Sequence, residues 1–311
     1  MRGALARVQS VAVSEPVITP LRLSGRGPRV LTIDAEDWFH VCGDGYYDDP
    51  RRWDSFVPRL EATLGGLFER LERGGHRATV FFLGWVARRY PDLVREAARR
   101  GHEVGVHGDV HRRADEMTPE EFGLDLGRAC DAIERAAGVP AEVYRAAEWS
   151  IRDASSPALA RLARAGIRCD ASTMPVPPLG RAGGPTGPHR IEGDGAGGDA
   201  GGKWSLTEIP PLTGRAYGRR LPLGGAWPFR MLPEARLARA EEAVRARGEP
   251  AVFTVHPWEF DTAHPPMDGL PAVTRLVHFA GLRGLSERFA RWLARDRCVA
   301  IADVLPLLAP A

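Results

Sequence analysis

Acidic and imidazole side chains collect at the ends of apolar runs in this sequence. Asp34-Ala35-Glu36-Asp37 follows the apolar run 30–33. Three carboxylates in four residues repel one another unless a cation or a shared proton relieves them. In extended backbone, Asp34 and Glu36 point to one side and Asp37 to the other. His107-Gly108-Asp109-Val110-His111 follows the run 103–106. Two histidines four apart can share a divalent metal where the backbone curls. The zinc-protease helix with this histidine spacing is excluded, because Gly108 stands where its glutamate belongs and 103–106 reads as strand. Two imidazoles and one carboxylate would leave open positions for water and substrate. His256 ends a third apolar run, 251–255, and beside a metal it is a candidate general acid. Arg145 follows Val143-Tyr144 and can orient a carboxylate base or a substrate oxyanion. Taken singly, each group also fits a plainer role: a solvated turn, a helix cap, a surface histidine or a surface salt bridge.

The elements that must position these groups alternate along the chain. The runs 30–33, 79–83, 103–106 and 251–255 read as buried strands, with short strands near 143–144 and 167–169 and a last one at 298–301. Helical spacing covers 57–73, although Gly65 and Gly66 weaken it. Pro91 opens a helix that Gly101 closes, and Thr118-Pro119-Glu120-Glu121 caps another that Gly138 stops. Further helices are expected near 233–247 and 284–295. Strand and helix alternating at this spacing predict parallel βα units, whose sites lie at the carboxyl ends of the strands. Residues 1–28 read as a flexible N-terminal arm, and the Gly-rich 180–203 as a flexible insertion with no capacity for a core.

A chain of 311 residues holds one large domain or two ordinary ones. Lys+Arg is 42 and Asp+Glu 40, a net charge of +2, which gives no global field for nucleic acid. The basic charge is almost all arginine, with Lys203 the lone lysine, and reads as a compositional bias. Cys42, Cys130, Cys169 and Cys298 are widely spaced and read as small buried hydrophobes in a reducing compartment. No apolar run is long enough for a membrane span, and the N-terminus lacks an apolar signal core. The expected location is therefore cytoplasmic, with peripheral contact to the inner membrane left open.

In this order, the clusters resemble the polysaccharide deacetylase family, the NodB-homology domain of carbohydrate esterase family four. Thr32-Ile33-Asp34-Ala35-Glu36-Asp37 matches its acidic strand end, His107 and His111 its HxxxH motif, and Tyr144-Arg145-Ala146 its arginine strand end. Asp170 sits where its fourth motif belongs, and His256 matches its catalytic histidine. The segments DAEDWFHV, YRAAEWSI, LPLGGAWPFRMLP, VHPWEFD and RLVHFAGL resemble the branch found with exosortase exopolysaccharide loci. The resemblance spans about 29–305. It implies a distorted (β/α)7-type barrel with a C-terminal extension from about residue 204, and one divalent metal, usually zinc. It also implies removal of N-acetyl groups from amino sugars of an exopolysaccharide or its lipid-linked precursor. Asp34 becomes the base, His256 the acid, Arg145 the orienting group, and His107 and His111 metal ligands.

Two departures matter. Ala35 follows Asp34 where the family has adjacent aspartates, so the metal carboxylate falls to Asp37 or Glu36. Asp37 is the first expectation, because it keeps the family's residue type and strand ends often turn. Glu36 is the alternative, because extended geometry keeps it beside Asp34. Ala147 replaces the proline usual after the arginine motif. Tyr144, Trp149, Trp227 and Trp258 are candidate substrate contacts, since sugars stack on aromatic faces. The expected partner is an N-acetylated glycan or lipid-linked oligosaccharide. Competing readings are a hydrolase of another amide, such as a sugar formamide or a ureide, and an inactive glycan-binding relative.

Overall fold

The computed structural model describes residues 15–43, 45–194, 202–216 and 218–311. Its strands are β1 (Val17–Arg22), β2 (Arg29–Ala35), β3 (Thr79–Phe82), β4 (Glu103–Val106), β5 (Val143–Tyr144), β6 (Cys169–Asp170), β7 (His189–Asp194), β8 (Lys203–Glu208), β9 (Thr213–Ala216), β10 (Arg219–Pro222), β11 (Ala251–Val255), β12 (Cys298–Val299) and β13 (Ala309–Pro310). Its helices are α1 (Leu60–Arg73), α2 (Gly84–Arg89), α3 (Pro91–Arg99), α4 (Pro119–Ala137), α5 (Pro157–Arg164), α6 (Ala226–Met231), α7 (Glu234–Arg245), α8 (Ala272–Phe279) and α9 (Leu285–Leu293).

Seven strands run parallel in the order β11–β2–β3–β4–β5–β6–β8. The strands β2, β3 and β11 are buried along their whole length, as continuous apolar runs covered on both faces must be. Segment 209–224 bridges β8 and β11: Leu212 N donates to Val252 O at 2.9 Å, and Thr254 N to Gly224 O at 2.8 Å. The result is the expected distorted α/β barrel. Val30, Phe81, Val143, Cys169 and Val252 fill its interior, with Ile301 and Val304 packed against them. The outward faces of the strands meet the helices, for example Leu64, Phe68 and Leu71, one stripe of α1. The Thr118–Glu121 capping box starts α4 and Gly138, at φ +78°, ends it. Such a cap contributes about 1 kcal/mol.

Two expectations change. Part of the N-terminal arm is ordered: β1 pairs antiparallel with β7 and with β13. The Gly-rich insertion contains β7 and the first residue of β8, which pair over six residues. Ladder bonds use backbone, so a polar, glycine-bearing segment can be a strand if a partner edge is available. At Gly193 the missing side chain is required, because a Cβ there would lie 2.6 Å from the Trp204 ring. Residues 1–14 and 195–201, also within those two expectations, lie outside the described residues.

Register aligns the carboxyl ends. Val255 pairs with Ile33, Ala35 with Phe82, Phe82 with Val106, Val106 with Tyr144, and Tyr144 with Asp170. The next residues along four of these strands are His256, Glu36, His107 and Arg145. They emerge at one end of the barrel.

Candidate active site

The end of β2 turns tightly, with Glu36 N donating to Asp34 O at 2.8 Å. This turn decides between the two candidate carboxylates. Glu36 Oε1 lies 2.9 Å from His107 Nε2 and 3.0 Å from His111 Nε2. Asp37 is directed away from both histidines. Its carboxylate accepts from Arg59 N at 2.8 Å, Leu60 N at 3.0 Å and Trp38 N at 2.9 Å. It therefore satisfies orphan N–H groups at the start of α1. The expectation of Asp37 beside the histidines is corrected: Glu36 occupies that place.

The histidine loop is shaped from behind. Gly108 (φ +79°) and His111 (φ +51°) take left-handed backbone, which for His111 is a conformation non-glycine residues adopt at a cost. Asp125 Oδ2, on α4, accepts from Asp109 N at 2.9 Å. The Asp109 carboxylate bridges Arg88 at 2.6 Å and Arg128 at 2.9 Å. Two helices thus fix the turn that aims both rings at Glu36.

The donor set can be tested for a cation through its hydrogen bonds. His107 Nδ1 lies 2.8 Å from the carbonyl oxygen of Arg145. A carbonyl only accepts, so Nδ1 carries a proton, and Nε2 is the ring atom turned to the Glu36 oxygen. A proton or a metal ion between that nitrogen and the carboxylate makes the contact favourable. His111 Nδ1 lies 3.4 Å from Cys42 Sγ, which is also 3.2 Å from the His111 carbonyl. Cys42 is thus a neighbour of the site as well as a small apolar group. Burial opposes ionisation of Glu36, but the charges of His111 and His256 and the imidazole hydrogen bonds hold its carboxyl well below its usual range. A buried carboxylate between two Nε2 atoms fits a divalent cation.

Asp34 is held on the other flank. Arg145 Nη1 donates to Asp34 Oδ1 at 2.9 Å, to Thr32 Oγ1 at 2.7 Å and to Thr254 Oγ1 at 3.0 Å. Its Nε donates to Ala171 O at 3.1 Å, and the guanidinium lies over the Phe81 ring. His256 Nε2 stands 3.8 Å from Asp34 Oδ2 and 4.0 Å from Glu36 Oε1. Behind it, Glu259 Oε2 faces His256 Nδ1 at 3.2 Å and accepts from His256 N at 2.9 Å. The other Glu259 oxygen pairs with Arg230 Nε at 3.1 Å, and Arg230 donates to the carbonyls of Val277 and His278 at the end of α8. Burial alone would lower the His256 imidazole, but Glu36, Glu259 and Asp34 push it up to about 9.

These groups form one end of a cavity of about 450 Å³ whose walls are mostly apolar. Trp149, Trp227 and Trp258 line it. Trp258 stacks on His278 at 4.1 Å and 2°, and the buried Trp149 indole N–H has no partner among the described residues. Tyr144 is a correction. It is 1% exposed and packs edge-on against Phe122 of α4. Alternation along β5 sends Arg145 to the site and Tyr144 to the helical layer.

Sequence reasoning missed Glu259, Arg230 and Asp125. The first was readable, because His256-x-x-Glu259 has capping-box spacing. The other two act across the fold from distant helices and leave no local pattern. A further acidic pair lies behind Arg145. Asp170 and Glu208 face each other across β6 and β8, both fully buried. Burial pushes Asp170 up to about 6 and Glu208 well above its ordinary value.

Comparison with known proteins bears on the fold. The polysaccharide deacetylase family model matches residues 54–169, and a domain of unknown function, DUF3473, matches 171–306. No curated protein matches. Among solved structures, a protein described as a polysaccharide deacetylase from Mycobacterium smegmatis shares the fold. Its TM-score is 0.54 and its identity 20%, over 91% of this chain and 94% of that one. A family 4 carbohydrate esterase from Streptomyces lividans, in complex with acetate, gives 0.46 and 15% over 93% and 99%. BA3943, a pseudoenzyme of that family from Bacillus anthracis, gives 0.46 and 12% over 91% and 66%. The family model identifies a polysaccharide deacetylase domain over residues 54–169, and the barrel is the fold of the Mycobacterium smegmatis structure.

Proposed function

We propose that the protein is a metal-dependent hydrolase that removes N-acetyl groups from amino sugars of a bacterial exopolysaccharide or its lipid-linked precursor. The observation that carries this reading is the meeting of His107 Nε2 and His111 Nε2 on one Glu36 oxygen, flanked by Asp34 and His256. Glu36, His107 and His111 would hold the ion, and a mixed oxygen and nitrogen donor set suits zinc. Bound there, a divalent cation supplies Lewis-acid polarisation of the amide carbonyl and acidifies water.

The chain's own groups do the rest. Asp34, oriented by Arg145, accepts the proton of the attacking water. The Arg145 ion pair and the threonine hydroxyls around it keep Asp34 in one rotamer, so its free oxygen faces the site. His256 then donates a proton from Nε2 to the leaving amine, which is too basic to depart unprotonated. Glu259 fixes its ring through Nδ1 and favours the protonated form. Each such proton transfer contributes ~10²–10⁴-fold. Trp149, Trp227 and Trp258 offer faces for the sugar ring. The products are acetate and a free amino sugar. Four free cysteines support a reducing compartment.

The test is acetate release from N-acetylated oligosaccharides by zinc-loaded protein. Release that disappears in His107→Ala and Asp34→Asn supports the reading. Loading without acetate release, with turnover of a formamide or ureide instead, transfers the same site to another amide.

A further inference from the structure

A second and larger cavity, of about 740 Å³, lies on the other side of β10 from the catalytic one. Arg215, Arg220, Arg236, Arg239 and Arg247 line it, and no aspartate or glutamate does. One wall is the β9–β10 hairpin. The other is a single stripe of α7 and its C-terminal turn, on which Arg236, Arg239 and Arg247 alternate with Ala240, Ala243 and Val244 at helical spacing. The small side chains keep the groove open. The glutamates of α7 are engaged away from it: Glu234 with Arg291 and Arg295, Glu241 with Arg29 and Arg245, and Glu242 with Arg26.

Arg215, Arg220 and Arg239 carry charge that no carboxylate of the described residues pairs. Arg220 donates to the carbonyls of Pro175 and Gly184, and Arg215 to that of Gly218, which hold the side chains without cancelling their charge. Arg247 pairs with Glu249 at 2.9 Å, and Arg239 has no carboxylate partner among the described residues. Five arginines thus line one groove on a chain whose net charge is only +2. Such a concave array focuses the field on an anion, and guanidinium forks match carboxylate and phosphate oxygens.

Leu221 and Leu223 line the groove, while Pro222 between them lines the catalytic cavity, so the two lie against opposite faces of β10. The groove lining holds no aromatic residue, so it lacks the stacking platforms that bind unpaired bases. We infer that this groove binds an anionic stretch of glycan, carrying carboxylate or phosphate groups. The assignment to substrate rests on the proposed deacetylation; the anion site does not.

The test is direct binding, followed by fluorescence anisotropy, with three labelled probes: a short oligouronate, a neutral oligosaccharide of equal length, and single-stranded RNA. The exposed Arg215 and Arg239 are changed to glutamate together, with the double lysine variant as control. The expected result is that the oligouronate binds, weakens with salt, and loses at least about tenfold in affinity in the glutamate variant while lysine restores it. Turnover of a small neutral N-acetylated sugar stays at the wild-type level in both. Equal oligouronate binding by wild type and the glutamate variant overturns the site, as does RNA binding tighter than oligouronate. Anion binding intact in a protein that releases no acetate overturns the proposed activity and leaves the groove standing.

Discussion

Asp34 and Glu36 at the end of β2, and Asp170 and Glu208 on β6 and β8, are two pairs of carboxyl groups buried in one barrel. The first pair is surrounded by cations and imidazoles: Arg145 on Asp34, and His107, His111 and His256 around Glu36. The second pair has no ion pair of its own among the described residues, although the Arg145 charge acts on Asp170. Asp170 accepts from Ser172 Oγ, Glu208 accepts from Thr173 N at 3.0 Å, and burial raises both carboxyls. Burial disfavours charge at both pairs, and their surroundings answer it differently. Acidic clusters alone therefore do not mark a metal site. What marks it is two imidazole Nε2 atoms meeting one carboxylate oxygen, as at Glu36, a donor set that a divalent cation fits.

Breaking the first pair has the largest expected effect. Removing one ligand, as in His111→Ala, costs on the order of 10³-fold in kcat/KM, because several kcal/mol of Lewis-acid stabilisation go with the ion. Acetate release under zinc loading measures it. Glu259→Gln touches only the support of His256, and kcat is expected to fall by ~10–100-fold with metal content unchanged. Metal content falling along with kcat would assign Glu259 to the ion site instead.

Asp37→Ala sharpens the contrast within the acidic run. It removes the acceptor for three backbone N–H groups and is expected to cost about 1–2 kcal/mol, a few °C in Tm, while leaving bound metal unchanged. The smallest effect is at the Asp170–Glu208 pair. Burial raises Asp170 from 3.8 to about 6 in the folded chain. Between those values the folded state binds more protons than the unfolded one, so stability falls as pH rises through that window. Asp170→Asn cannot ionise, so denaturant midpoints measured across the window should vary less with pH than in wild type.

The parallel barrel and the convergence of Asp34, His107, Arg145 and His256 were legible, because apolar runs ending in polar residues mark the carboxyl ends of buried strands. The choice between Glu36 and Asp37 was not, since it depends on one turn bond and on α1 needing an acceptor for its first N–H groups. Tyr144 was misassigned as a substrate contact because strand alternation at β5 is invisible in a two-residue strand. The strands β1 and β7 were hidden by composition: their pairing uses backbone edges supplied by β8 and β13. Arg230 and the arginines of the α7 groove looked like compositional bias because only tertiary packing gathers them.

The central claim is that Glu36, His107 and His111 hold a divalent cation. Zinc bound per chain, measured by mass spectrometry after equilibrium dialysis, tests it across wild type, Glu36→Ala and Asp37→Asn. The account predicts about one ion in wild type and Asp37→Asn, as expected of one three-ligand site, and almost none in Glu36→Ala. Full occupancy in Glu36→Ala with loss in Asp37→Asn would contradict it, as would a wild-type protein that takes up no metal.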